Sequence, residues 1–178
     1  RGQKATLHEG GIRMPFMERW PARIQPGSVN NNTVMTSIDI FPTVCALTGT
    51  RPCTNGYVLD GLDMSKSVLG KKEEIRKSPM FWEFGHHFVG KEYPKNAYQT
   101  RSPNICVREG DWKLMVNYDG SHVELYNLRN DVKETTNVAG QNPEVAEKLT
   151  KKAIDWYNEA FRKHAGELVA PPAKIKKQ

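Results

Sequence analysis

The run from Asn142 to Gly166 constrains the fold most. Asn142-Pro143-Glu144 supplies an N-cap, a proline at the first helical position and an acid in the first turn. Each suits the unpaired N–H groups and the positive dipole end of a helix. Val145, Leu149, Ala153, Trp156 and Ala160 then recur at steps of four, four, three and four, which is one apolar stripe. Arg162, Lys163 and His164 put cations at the far end, and Gly166 offers a stop. A helix over about 143–164 striped in this way needs a flat apolar surface, so the stripe predicts a sheet packed against it.

The preceding residues supply that sheet. Pro79-Met80-Phe81-Trp82-Glu83-Phe84 is a dense strand-like run. Asn104–Arg108 and Trp112–Val116 flank Glu109-Gly110-Asp111 and read as a hairpin, with Gly110 accepting the positive φ. A turn at Asp119-Gly120 leads to Val123–Leu128, so three or four antiparallel strands are expected. Trp112, Trp156 and Tyr157 read as the core between sheet and helix. Between the first two strands, residues 85–103 form a long polar loop holding His86, His87, Tyr93 and Tyr98, a length usually reserved for binding.

The first 78 residues are less regular. Glu9-Gly10-Gly11 reads as a turn leading into Ile12–Met17, an edge or irregular strand because Pro15 cannot donate to a ladder. Thr33–Gly49 has near-helical apolar spacing, with Thr36 or Ser37 as cap, a start or break near Pro42, and Gly49 as stop. Residues 50–78 hold no long periodic stretch and are expected to wrap the surface.

Composition excludes several classes. The chain carries 26 Lys+Arg against 20 Asp+Glu, a net charge of +6, but its cations are spread out. The clusters at Lys71-Lys72 and Lys174–Lys177 both read as solvated surface, so no nucleic-acid partner is expected. No apolar run approaches the roughly 20 residues of a spanning helix, and neither membrane anchor nor signal peptide is expected. Cys45, Cys53 and Cys106 lack a CxxC spacing and read as buried free thiols. His8, His122 and His164 show no metal-ligand spacing.

The most suggestive chemistry lies in Lys4-Ala5-Thr6-Leu7-His8-Glu9-Gly10-Gly11, where a cation, a hydroxyl and an imidazole surround a double glycine that lets backbone approach an anion. Lys4-x-Thr6-x-x-Glu9-Gly10-Gly11-Ile12-Arg13-x-Pro15, Arg19-Trp20-Pro21, Pro26-Gly27, Asp39-Ile40-x-Pro42-Thr43 and Asp60-Gly61 resemble the second half of a type I sulfatase of the alkaline phosphatase superfamily. Val107–Leu114, Glu124–Leu128, Asp131, Glu134-Thr135-x-Asn137 and the terminal helix are similar to that family's C-terminal subdomain. The resemblance is to bacterial sulfatases acting on glycans, including arylsulfatase and N-acetylgalactosamine-6-sulfatase types.

The resemblance implies an α/β, alkaline-phosphatase-like fragment. Residues 1–78 would end the large α/β domain, and 79–166 would form an α+β C-terminal subdomain with a small antiparallel sheet on the long helix. Residues 167–178 would be a basic flexible tail. It implies sulfate-ester hydrolysis by the complete protein, with Lys4 contacting the sulfate and Glu9 and Arg13 holding the loop. Trp82, His86 and His87 would contact a sulfated carbohydrate, in a periplasmic or secreted enzyme. The family uses a formylglycine, made from Cys or Ser in Cys/Ser-x-Pro-x-Arg, and a divalent cation, usually Ca²⁺, held by acidic pairs. Neither motif is present in this sequence. The expectation is therefore a C-terminal part whose formylglycine and cation come from an N-terminal part of the same sulfatase, and which is inactive alone. The alternatives are a non-catalytic module binding sulfated glycans and a phosphate or phosphonate ester hydrolase of the same superfamily.

Overall fold

A computed structural model describes residues 1–54, 56–84 and 102–164, with side chains described as far as residue 160. His86, His87, Tyr93, Tyr98 and the basic tail lie outside the described residues. The chain divides into two compact units. One joins Arg1–Met14 to the residues from Ser78 onward, and the other is Pro15–Lys77. Residues 1–14 pack with the later strands, where their side chains find partners.

The first unit is built on a four-stranded antiparallel sheet in the order β1 (Met80–Glu83), β2 (Ile105–Glu109), β3 (Trp112–Val116) and β4 (Glu124–Asn127). Glu109 pairs with Trp112 across a two-residue turn in which Gly110 takes φ +61°, the left-handed conformation the sequence required there. One sheet face carries Ile105, Val107, Leu114, Val116 and Leu125, all fully buried. The terminal helix, Pro143–His164, covers this face with Ala146, Leu149, Ala153 and Tyr157. The buried stripe is thus rotated slightly from the one read in the sequence. Trp156 lies at its border, stacked on Phe81 at 5.0 Å, and Trp112 packs at the edge of the same cluster.

The opposite sheet face presents Trp82, Cys106, Lys113, Met115 and Tyr126, and the amino-terminal segment covers it with Leu7 and Ile12. The sheet is therefore covered on both faces. That is why its central strands lack a polar alternation.

Beyond β4, three residues of the Asp131/Glu134/Thr135/Asn137 pattern act locally. The Asp131 carboxylate accepts the Thr135 and Thr136 backbone N–H groups at 2.8 and 2.9 Å. The Thr135 hydroxyl donates to the same carboxylate at 3.0 Å. Asn137 Oδ1 accepts the Leu125 N–H at 3.0 Å, closing the β4 edge.

In the second unit, Thr36 and Asp39 form a capping box over a 3-10 turn, Ser37–Asp39, which leads into a helix, Ile40–Thr48, ended by Gly49. Pro42 falls in its first turn, where the N–H has no intrahelical partner to lose. Asp39 organises the unit: its two carboxylate oxygens each lie 2.8 Å from Arg76 Nη1, and they accept the Leu62 and Thr36 N–H groups at 2.8 and 2.9 Å. Gly61 lies under Ile38, where a Cβ would come within 1.9 Å of the Ile38 carbonyl oxygen. The Asp39 and Asp60-Gly61 motifs therefore have structural reasons in this unit.

Two expectations are corrected. Arg13–Met17 forms no strand, since Pro15 has no N–H to give and no described strand pairs with it. Cys53 is exposed, while Cys45 and Cys106 are buried. The low content of regular structure expected over residues 50–78 holds apart from one helical turn, Ser65–Val68.

Candidate functional site

Glu9-Gly10-Gly11-Ile12 is a single helical turn, not a glycine bend. Neither glycine needs a positive φ. What both need is an absent side chain: a Cβ on Gly11 would lie 2.1 Å from the Thr6 carbonyl oxygen, and one on Gly10 would lie 2.5 Å from that of Gly2. The segment before the turn folds back onto these bare positions, and the Gly10 N–H donates to the Arg1 carbonyl at 2.9 Å. The Thr6 hydroxyl donates to the Gln3 carbonyl at 2.8 Å, and Ala5 between them takes φ +72°. Lys4 stands at the crest of this tight turn, exposed, with no ion pair among the described residues.

Beneath the turn lies a cluster of charged groups that the sequence reading did not find. Lys113, on the sheet face shared with Met115, is wholly shielded from solvent. Its Nζ donates to Glu9 Oε1 at 2.9 Å and pairs with Glu134 Oε1 at 2.8 Å. Glu134 Oε2 accepts the Glu9 backbone N–H at 2.7 Å and lies 3.4 Å from His8 Nδ1. His8 and Glu134 are fully buried, and Glu134 adopts φ +55°. Burial, the largest influence on Lys113, would lower its pKa, but the Glu9 and Glu134 carboxylates beside it outweigh that and the pKa is raised. Burial would likewise raise the Glu134 pKa, but bonding from His8 and the Lys113 charge hold it below the usual carboxylate value. Cys106, next to Lys113 on this face, has its thiol pushed up to about 12, chiefly by burial, so it stays protonated and is a poor nucleophile. The sequence did carry one signal for this cluster. A lysine at an inward strand position with apolar neighbours needs a carboxylate partner.

The six residues named from sequence fall as follows. Lys4 and Glu9 belong to one connected unit. Arg13 is mostly exposed, with Nη1 4.0 Å from Glu9 Oε2, and adds little by that contact. Trp82 is half-buried on the sheet face covered by the same amino-terminal segment and packs against its cluster. His86 and His87 lie outside the described residues. Among the described residues, no group of three or more His, Cys, Asp or Glu side chains could hold a metal ion.

The family model described as N-sulphoglucosamine sulphohydrolase, C-terminal, matches residues 3–159, a span that includes Lys4, the helical turn, the ion cluster and the sheet. The chain belongs to this sulfatase family. A sulfatase of Formosa agariphila is 32% identical over 164 residues, covering 88% of this chain and 29% of that protein. A Bacteroides thetaiotaomicron protein named N-acetylgalactosamine-6-O-sulfatase is 28% identical over 151 residues, covering 85% and 28%. A solved structure from work on glycosaminoglycan metabolism by Bacteroides thetaiotaomicron matches at a TM-score of 0.63 and 24% identity, over 92% of this chain and 32% of that one. It supports the α/β sulfatase fold with a C-terminal subdomain. The chain thus spans under one third of the length of each of these relatives. No helix among the described residues is long and apolar enough to cross a membrane.

Proposed function

We propose that this chain is the C-terminal part of a sulfatase that hydrolyses sulfate esters of a glycan, with Lys4 contacting the sulfate. The observation that carries the reading is the exposed Lys4 ammonium, raised on a turn anchored to the core, within a span that matches the sulfatase family model. A glycan substrate is supported by the relative named as an N-acetylgalactosamine-6-O-sulfatase.

An ammonium fixed beside a sulfuryl group offsets its charge and stabilises the charge that builds on the departing oxygen. The backbone that carries Lys4 is already closed by the Thr6 hydroxyl and packed on Gly11, so only the side chain has to be ordered on the substrate. Trp82 is proposed to stack on a sugar ring, and His86 or His87 to bond its hydroxyls or protonate the leaving alcohol. No described residue cluster fits a cation, and no cysteine stands in Cys-x-Pro-x-Arg. The formylglycine and the divalent cation are therefore assigned to an N-terminal part of the same protein, and no step here passes through them. The outward apolar residues Ile40, Phe41 and Val44 on the Ile40–Thr48 helix support such a covering partner. A periplasmic or secreted location is part of the same proposal.

Turnover of 4-nitrophenyl sulfate tests the reading. The isolated 178-residue chain is expected to be inactive in Ca²⁺ buffer. The full-length protein is expected to be active, and to lose about a hundredfold in rate on Lys4→Ala. Turnover by the isolated chain, or an unchanged rate in the Lys4→Ala protein, refutes it.

A further inference from the structure

We propose that Lys113 and Glu134 are positioning residues for Lys4: together they clamp both the side chain and the backbone of Glu9, and through the glycine-seated turn they fix the backbone from which the Lys4 amine reaches out. The proposal rests on Lys4 as the sulfate contact.

A run of contacts without slack joins the sheet to Lys4. Lys113 Nζ reaches Glu9 Oε1 at 2.9 Å and Glu134 Oε1 at 2.8 Å, while Glu134 Oε2 takes the Glu9 N–H at 2.7 Å. Glu9 is thus held at two points, by side chain and by backbone, which fixes the rotation of the helical turn as well as its position. Gly10 and Gly11 on that turn touch backbone of residues 1–6 closely enough to exclude any Cβ, so a shift of the turn carries the Lys4 segment with it. The last link is the Thr6 hydroxyl on the Gln3 carbonyl at 2.8 Å, which encloses Lys4.

The surroundings favour placement over cohesion as the purpose of the cluster. Lys113 shares its face with Cys106, Met115, Tyr126 and Leu128, where an apolar side chain would pack without desolvating a charge. Glu134 moreover takes φ +55°, a backbone conformation disfavoured for any residue with a Cβ, and in it aims both oxygens at the clamp. What the ionic arrangement adds is direction, since charged hydrogen bonds to a planar carboxylate specify one geometry and apolar contacts do not.

The full-length protein is the test material, with Lys113→Met, Lys113→Arg, Glu134→Gln, Lys4→Ala and the double variant Lys113→Met/Lys4→Ala. At a temperature where each is folded by circular dichroism, Lys113→Met is expected to lower kcat for 4-nitrophenyl sulfate by about a hundredfold, the scale of loss from misplacing a group by about 1 Å. Lys113→Arg should restore part of it. In the Lys4→Ala background, Lys113→Met should cost less than about twofold more, because both act through one amine. Multiplying losses overturn the proposal. Should Lys113→Met fail to fold, Glu134→Gln in both backgrounds gives the same comparison. Hydrogen exchange over residues 3–11 separates the two ideas. Faster exchange in Lys113→Met or Glu134→Gln with a silent Lys4→Ala keeps the clamp and removes the sulfate role. Unchanged exchange removes the clamp.

Discussion

Lys113 Nζ lies 2.8 Å from Glu134 Oε1, and both side chains are fully buried between the sheet and the amino-terminal segment. The two titrations bound a pH window. The lowered Glu134 pKa contributes stability that is present above its usual value of 4.5 and is lost as pH falls through the lower folded value. The raised Lys113 pKa contributes stability that is present below 10.5 and is lost as pH rises through the higher folded value. The difference in unfolding free energy between wild type and Glu134→Gln should therefore be flat across neutral pH and shrink below 4.5, as read by urea titrations at several pH values. A difference that grows on acidification would contradict the assignment.

Gly11→Ala puts a methyl group 2.1 Å from the Thr6 carbonyl oxygen. Backbone must move to admit it, at a cost of about 1–3 kcal/mol. In the full-length protein, activity should fall more steeply than the denaturation midpoint, because the displaced backbone belongs to the Lys4 turn. Gly27→Ala is the contrasting case: it meets nothing nearby but has φ +73°, so it should cost stability with little loss of rate.

Lys4→Ala should leave stability within about 0.5 kcal/mol of wild type, since an exposed side chain with no ion pair among the described residues supports little of the fold. The expected loss is in turnover, by about a hundredfold. Equal losses in unfolding free energy and rate would mean that the lysine holds the loop and does not serve the substrate.

Asp39→Ala leaves the buried Arg76 guanidinium without its carboxylate and frees the Leu62 and Thr36 N–H groups. A cost of about 3–5 kcal/mol is expected, the range for breaking a buried ion pair. Limited proteolysis within Pro15–Lys77 should accelerate, while protection of the Ile105–Val116 hairpin in hydrogen exchange should hold.

The sequence was most readable where periodicity and turn chemistry act locally. The Pro143–His164 helix follows from apolar spacing, and the Glu109–Trp112 turn and the Gly49 stop from left-handed glycines at 110 and 49. The double glycine at 10 and 11 misled, because glycine admits close backbone approach as readily as a bend, and only the fold shows Thr6 overhead. The ion cluster was hidden for another reason. Its members at 8, 9, 113 and 134 have no local pattern in common, and pairing across more than 100 positions is set by topology. Within the Glu134-Thr135-x-Asn137 motif, Glu134 and Asn137 serve entirely different neighbours, a division that the string of letters does not display.

The bond from the Glu9 N–H to Glu134 spans 125 residues of chain. As the polypeptide leaves the ribosome, residues 1–11 lack their partners on the sheet and at Glu134 until those strands and the stretch beyond them have been made. Closing so long a loop is entropically unfavourable until those strands are in place to receive it. The Lys4 turn thus gains its Glu134 anchor only after residue 134 has been made, and a chain halted before that point carries the turn without it.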